Sequence, residues 1–411
     1  MKVLHINQSD TAGGAAIAAY RLHQGLLQRH IDSKLLVGRK QTDDPKTAQV
    51  VRPKWIEDQL QRITCRAGFN YINHISSFAI SKHSLFKAAD IINFHNLHNS
   101  YFSYLAIPHL TAQKPAILTL HDMWSFTGHC TYSYDCTRWQ IGCGKCPYPD
   151  TYPNIRRDAT HWEWALKDWA YNRSNLTIVT PSHWLKEQAE ASLLSRFSVH
   201  HIPYGINTDV YQPIDSELCR KALNIPLNKK VLLFSAVKLT DSRKGGDLLI
   251  KALEQLPKAL KQGCVLLTLG GSSQQLTAAA DISIIDLGYV NSDRLKSIAY
   301  SAADLFIFPT RADNLPLVLQ ESMACGTPMV SFDIGGVSDL VRPGITGYLA
   351  QPENIDSFCQ GIVDLLEDDK KRQVMGNNCR HIALEEYTLE LQAKRYQDLY
   401  QQVLSRENTN L

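Results

Sequence analysis

The chain reads as an α/β protein of two doubly wound parallel-sheet domains, and three observations predict this. Short β-branched runs alternate with amphipathic stretches, the alternation occurs as two successive series, and at "HIPYGINTDVYQPID" (201–215) Pro, Gly and Asn interrupt it. In the first series, "KVLHI" (2–6), "KLLVG" (34–38), "DIINF" (90–94), "AILTLH" (116–121) and "LTIVT" (176–180) read as buried strands. The first is followed by "GGAAIAAYRLHQGLLQRH", with Ile17, Tyr20 and Leu27 at roughly helical spacing. The second series holds "KVLLFS" (230–235), "CVLLTLG" (264–270), "ISIIDLG" (282–288), "DLFIFP" (304–309) and "PMVSF" (328–332), with helix-like stretches between them. The expected domains are 1–205 and 206–385. A last helix, within 386–411, groups Leu391, Tyr396, Leu399, Tyr400 and Val403 towards one side, as if to pack back on the first domain. Ligands of open parallel sheets bind outside the carboxyl ends of the strands, so the expected site is a cleft between the two domains.

The bulk numbers exclude several classes. A chain of 411 residues with 44% hydrophobic content can bury a sizeable core. A net charge of +3 with 20% charged residues gives no basic stripe, so nucleic acid is not an expected partner. The N-terminal "MKVLHINQSD" reads as a first strand and not a signal peptide, and no apolar run approaches the roughly 18 residues of a membrane span. A cytoplasmic protein is expected. The stretch 55–89 mixes Trp, Phe, Ile, Lys and Arg. It reads as helical and is open to two readings: an ordinary insertion, or a peripheral contact with the inner face of the cell membrane.

Candidate chemistry gathers in the second half. In "AVKLTDSRKGGDLLI" (236–250), Lys238, Arg243 and Lys244 sit after a strand, and two glycines open a helix. Cations beside a helix N-terminus suit a diphosphate, and a solvated basic turn is the alternative. Tyr289 and Val290, in "DLGYVNSD", could hold a flat base by backbone contacts, and an ordinary turn is again the alternative. In "ADNLPLVLQESMACGTP" (312–328) the signals place a helix at about 316–325, with Pro316 in its first turn and Gly326 at its stop. Glu321 then shares a face with Leu317, Val318, Ala324 and Cys325, with no cation within one turn. A buried carboxylate needs donors. Vicinal ligand hydroxyls, such as those of a ribose, would supply them, and so would a distant Arg or backbone N–H groups.

These motifs resemble those of the GT-B glycosyltransferases of family four, a retaining family. The resemblance rests on Asp313 and Glu321 with seven residues between them, "MACGTPMVSFDIGG", the basic pair in "FSAVKLTDSRKG", "GGA" near the N-terminus and "IPYGINTDVY". It runs over essentially the whole chain. Asp313 stands where the family usually has Glu, and "D-N-L-P" resembles an exopolysaccharide subgroup of the colanic-acid type. Lys238 stands where Arg is usual, a point charge in place of a planar fork. The resemblance implies a hexosyl transfer with retention and without a catalytic metal. The donor is a UDP- or GDP-sugar, and the acceptor a glycan, here a lipid-linked polysaccharide precursor. It implies that Glu321 holds the ribose, that Lys238 and Lys244 stabilise the leaving diphosphate, and that Asp313 and the backbone of Asn314, Leu315, Pro316 and Leu317 address the donor sugar. Arg243 joins the donor-binding set.

In the first half, Gly13 and Gly14 follow the first strand, where a backbone can approach a sugar or phosphate closely. The G-x-G-x-x-G fingerprint is absent from "TAGGAAIAA", which disfavours an NAD oxidoreductase. His95, His98 and His121 fall at carboxyl strand ends. The resemblance assigns His121 to the donor sugar, and His95 and His98 are placed for an acceptor hydroxyl. Of ten cysteines, Cys130, Cys136, Cys143 and Cys146 cluster as C-x5-C-x6-C-x2-C. Four thiolates with a closing C-x2-C suit a structural zinc; two disulfides, a redox pair and unligated thiols are the alternatives. Two rival functions remain: a nucleotide-sugar epimerase of the same fold, which needs no acceptor, and a catalytically silent nucleotide- or glycan-binding protein.

Overall fold

The computed structural model describes residues 1–238, 241–271 and 282–409, with the side chains of 237, 238 and 407–409 outside that description. The chain forms two compact units, Met1–Gly205 with Leu389–Leu411, and Ile206–Thr388.

The first unit is built on seven parallel strands: β1 (Lys2–Ser9), β2 (Asp32–Arg39), β3 (Thr47–Gln49), β4 (Ile91–Phe94), β5 (Ala116–Thr119), β6 (Thr177–Thr180) and β7 (Val199–His201). Their order is β3-β2-β1-β4-β5-β6-β7, so the direction of winding reverses between β1 and β4. Ile6 lies level with Leu36 on one side and Phe94 on the other. Side-chain alternation sorts the strands into two apolar faces. Leu4, Ile92, Leu118 and Ile178 pack into a core rich in aromatic residues from the loops and helices that follow β4 and β5. Val3, Ile91, Ile117 and Val179 face the other way, towards Leu22 and Leu26 of the Gly14–Gln28 helix and the C-terminal Leu389–Thr409 helix. That last helix presents Ala393, Tyr396, Leu399, Tyr400 and Val403 as one stripe. Its two tyrosines also satisfy polar groups of the sheet: Asn93 Nδ2 donates to the Tyr400 hydroxyl at 2.9 Å, and Thr119 Oγ1 and the Tyr396 hydroxyl are 3.1 Å apart.

The second unit has six parallel strands: β8 (Lys230–Lys238), β9 (Cys264–Gly271), β10 (Ser283–Asp286), β11 (Leu305–Phe308), β12 (Met329–Phe332) and β13 (Gly347–Ala350). Their order is β10-β9-β8-β11-β12-β13, with the reversal between β8 and β11. One face, with Leu232, Phe234, Ile307 and Val330, is covered by the Gly246–Gln255 and Ile355–Glu367 helices. On the other, Tyr300 of the Asp293–Ala302 helix sets its ring edge against Phe306, centroids 5.5 Å apart.

Two doubly wound sheets are thus present as predicted. Three strands went unforeseen, β3, β7 and β13, and all three are sheet edges. Several boundaries also moved. β8 runs on to Lys238, past the expected end near Ser235. The stretch 55–89 is largely helical, as expected, with α-helices at Lys54–Arg66 and Ser84–Ala88 and a 3-10 helix at Ile75–Lys82 between them. Pro316 is the N-cap, and the helix behind it runs Leu317–Ala324.

Candidate functional site

In each unit most candidate residues follow the two strands flanking the reversal point, where an open parallel sheet leaves room for a ligand; His121 follows β5, and Tyr289 and Val290 follow β10.

In the second unit these are the loops after β8 and β11. A short 3-10 turn, Ser242–Lys244, leads into the Gly246–Gln255 helix through Gly245, whose φ is +68°. Only glycine fits there, because a Cβ would fall 1.8 Å from the Pro309 carbonyl oxygen. That approach stitches the two loops together. The Arg243 carbonyl accepts from Arg311 N–H at 2.8 Å and from Thr310 Oγ1 at 2.9 Å. Across this seam the Asp313 carboxylate takes Lys244 Nζ at 2.6 Å and Arg243 Nη1 at 3.1 Å, both on Oδ2. Oδ1 accepts from Asn314 N–H at 3.1 Å. Burial pushes the Asp313 carboxyl up, but Lys244 and Arg243 more than reverse this, and it titrates below the usual carboxylate range. Burial lowers the Lys244 ammonium, and Asp313 only partly restores it. The "DIGG" loop holds Asp313 from behind, since a Cβ on Gly335 (φ +53°) would fall 2.0 Å from the Asp313 carbonyl oxygen.

Glu321 is buried on the Leu317–Ala324 helix, as its position in the sequence implies, and it has a protein donor. The Tyr300 hydroxyl reaches Oε2 at 3.2 Å. That partner is neither the Arg nor the backbone N–H that the sequence left open. The C-terminal end of this helix is fixed by Arg380, which donates to the Ala324 carbonyl at 3.0 Å and the Tyr211 carbonyl at 2.9 Å. Asn314 and Leu315 are buried just before the helix. Tyr289 stands exposed beyond β10, and Val290 is half-buried. The Lys238 side chain lies outside the described residues.

In the first unit the loops follow β1, β4 and β5. Gly13 has φ +89°, and a Cβ on Gly13 or Gly14 would meet no protein atom within 4 Å, so the space beside both is open. The three histidines have different fates. His5, His95 and His121 form a row of buried imidazoles: His5 Nδ1 to His95 Nε2 is 2.8 Å, and His95 Nδ1 to His121 Nε2 is 3.1 Å. The row continues from His121 Nδ1 to the Tyr204 hydroxyl at 2.7 Å. Both ring nitrogens of His95 and of His121 are therefore engaged inside the protein. Burial holds these rings neutral, His5 at about 3, His121 at about 4 and His95 well below the usual range. His98 differs. Its Nε2 lies 2.9 Å from Asp122 Oδ2, and its buried Nδ1 has no hydrogen-bond partner among the described residues. With Nε2–H donated to the carboxylate, Nδ1 carries a lone pair. Burial raises the Asp122 carboxyl, but His98 and the Trp124 N–H outweigh this and lower it.

Four residues of these sites were not foreseen. Asp122 is adjacent to His121 in "LHDMW", so a signal for it was present. Tyr204, Tyr300 and the engaged His5 carry no local signal, because the fold brings each from a different element.

The four clustered cysteines line one cavity of about 20 Å³, together with His129, Arg138, Trp139 and Thr160. All four are free thiols. Burial pushes the Cys130 thiol up to about 12 and the Cys143 thiol up to about 11.

Two family models match the chain, Glycosyltransferase Family 4 over residues 12–210 and Glycosyl transferases group 1 over residues 215–382. The chain belongs to the family-four glycosyltransferases. Among relatives in that family, it is 27% identical over 352 residues to the putative colanic acid biosynthesis glycosyl transferase WcaC of Escherichia coli K12, covering 80% of this chain and 83% of that protein. It is 32% identical over 184 residues to D-inositol 3-phosphate glycosyltransferase 1 of Catenulispora acidiphila, covering 41% of this chain and 44% of that relative, under half its length. The structure of Anabaena HepE in complex with UDP-glucose shares the fold, with a TM-score of 0.68 and 16% identity over 100% of both chains. The fold is GT-B, as the resemblance implied.

Proposed function

We propose that this chain transfers a hexosyl group from a UDP- or GDP-sugar to a glycan acceptor, a lipid-linked exopolysaccharide precursor, with retention and without a catalytic metal. The observation that carries this reading is the Asp313 carboxylate clamped by Lys244 and Arg243 at the reversal point, eight positions before buried Glu321 in the sequence. Glu321 Oε2 is already oriented by the Tyr300 hydroxyl, and a carboxylate held in this way accepts vicinal ribose hydroxyls. As the donor bond breaks, negative charge builds on the departing diphosphate. Lys244 and Arg243 stabilise that charge, and Asp313 is released towards the sugar. His98 Nδ1 accepts a hydrogen bond from the acceptor hydroxyl while Asp122 holds the ring. The UDP-glucose complex of HepE, a protein of the same fold, favours a uridine donor, and the colanic-acid relative favours an extracellular polysaccharide.

A lipid-linked acceptor calls for a membrane face. No helix among the described residues is long and apolar enough to cross a membrane. The Lys54–Arg66 helix, however, exposes Trp55 (76%) and Ile63 (65%) beside Lys54, Arg62 and Arg66. Apolar and basic groups side by side suit the surface of an anionic bilayer. The function is tested by incubating the pure protein with a panel of UDP-, GDP- and ADP-sugars and following binding and slow hydrolysis. Release of one nucleoside diphosphate is expected. Epimerised donor without acceptor would establish the epimerase, and no turnover of any donor with any glycan would leave only a binding protein.

A further inference from the structure

The Cys130–Cys146 loop has no part in the reading above, and its chemistry is unusually concentrated. Cys130, Cys136, Cys143 and Cys146 all face one cavity of about 20 Å³, room for one ion or one water. Its backbone is strained where the last two ligands sit. Gly142, Cys143, Gly144 and Lys145 all have positive φ, at +122°, +54°, +86° and +49°. A side-chain-bearing residue in that region is strained and persists where its surroundings hold it there. Here the strain aims both sulfurs of the C-G-K-C turn into the cavity. Two sulfurs have polar neighbours: Gly128 N–H donates to Cys143 Sγ at 3.2 Å, and His129 Nε2 lies 3.1 Å from Cys146 Sγ. The other His129 nitrogen, Nδ1, donates to the Pro153 carbonyl at 2.9 Å, so Nε2 carries a lone pair and accepts from the Cys146 thiol. Lys167, fully buried, interacts electrostatically with Cys130 and Cys143 and would offset an anionic shell. No three of the four sulfurs lie within 4.8 Å of one another, so an ion would have to draw them inward.

We propose that Cys130, Cys136, Cys143 and Cys146 bind one zinc ion as a closed four-thiolate site. Each thiol gives up its proton as the metal binds, so four protons leave for one zinc, with no change of oxidation state. The site is structural. Met123 N–H bonds the Thr131 carbonyl at 2.9 Å, so the loop is tied directly to the segment that carries Asp122. A bound zinc would hold that segment, and with it His98, in place.

The test is elemental analysis of the full chain purified without chelator, with thiol counting on the same sample. The expected result is one zinc per chain and four thiols that react only after a strong chelator or an organomercurial displaces the metal. Cys143→Ser should lose the zinc. Cobalt loaded in its place should give the intense visible bands of a tetrahedral tetrathiolate, a readout that does not depend on turnover or on the variants folding. Zinc well below one per chain, a disulfide within 130–146, or an iron–sulfur chromophore would overturn the proposal.

Discussion

At the scale of single residues, the two acids of "ADNLPLVLQESMACGTP" have different surroundings. Asp313 is paired twice and is an electrostatic element, whereas Glu321 is an oriented acceptor with Tyr300 as its donor. Tyr300→Phe should therefore weaken donor binding without abolishing it. Loss of one hydrogen bond to a charged group costs about 1.5–3 kcal/mol, roughly a tenfold or greater rise in donor KM. An unchanged KM in initial-rate kinetics would remove Tyr300 from the site. His98→Ala should raise acceptor KM by a similar factor and leave donor hydrolysis as it was, whereas equal loss of both would mean that the ring is structural. Sequence made the burial of Glu321 legible, because helical spacing alone places it among Leu, Val, Ala and Cys. It could not show Tyr300, since a partner on a neighbouring helix leaves no periodic trace. Nor could it show that His95 and His121 have both nitrogens engaged, which only the buried row from His5 to Tyr204 reveals.

At the scale of elements, the same contrast holds. Central strands such as Leu305–Phe308 and Ala116–Thr119 are buried on both faces and read as largely apolar runs, so they were visible. The edge strands β3, β7 and β13 are three or four residues long, and their mixed burial leaves no such run. The glycine pair after the basic turn was visible as a helix start, but the reason for it is tertiary. Gly245→Ala should push the Ser242–Lys244 turn off Pro309 and separate Lys244 from Asp313. Diphosphate affinity should fall at least tenfold while the far-UV spectrum stays native. Isothermal titration with UDP and GDP checks this, and native affinity in the variant would detach that turn from donor binding.

At the scale of the whole molecule, pH and surface should reveal the buried chemistry. Burial holds His5 at about 3 and His23 and His121 at about 4, against about 6.5 in an unfolded chain. The unfolded chain thus binds more protons between these values, so stability should be full above pH 6.5 and fall as the pH drops towards 4. Glu163, raised by burial to about 7, works in the opposite sense, but it is one group against three of at least equal shift. Thermal melts should therefore show a falling midpoint from pH 7 to pH 5, and a flat profile would contradict the buried row. On the surface, Trp55→Glu should reduce sedimentation with anionic phosphatidylglycerol vesicles while leaving turnover of a soluble acceptor intact. Equal sedimentation would separate that helix from any membrane. The most direct test of the central claim compares sugar transfer by the native chain and by Glu321→Ala, on the donor that the panel selects. The account predicts native transfer with release of the nucleoside diphosphate and a loss of roughly tenfold or more in kcat/KM in the variant, with fold and zinc content unchanged. Transfer at the native rate by Glu321→Ala would contradict it.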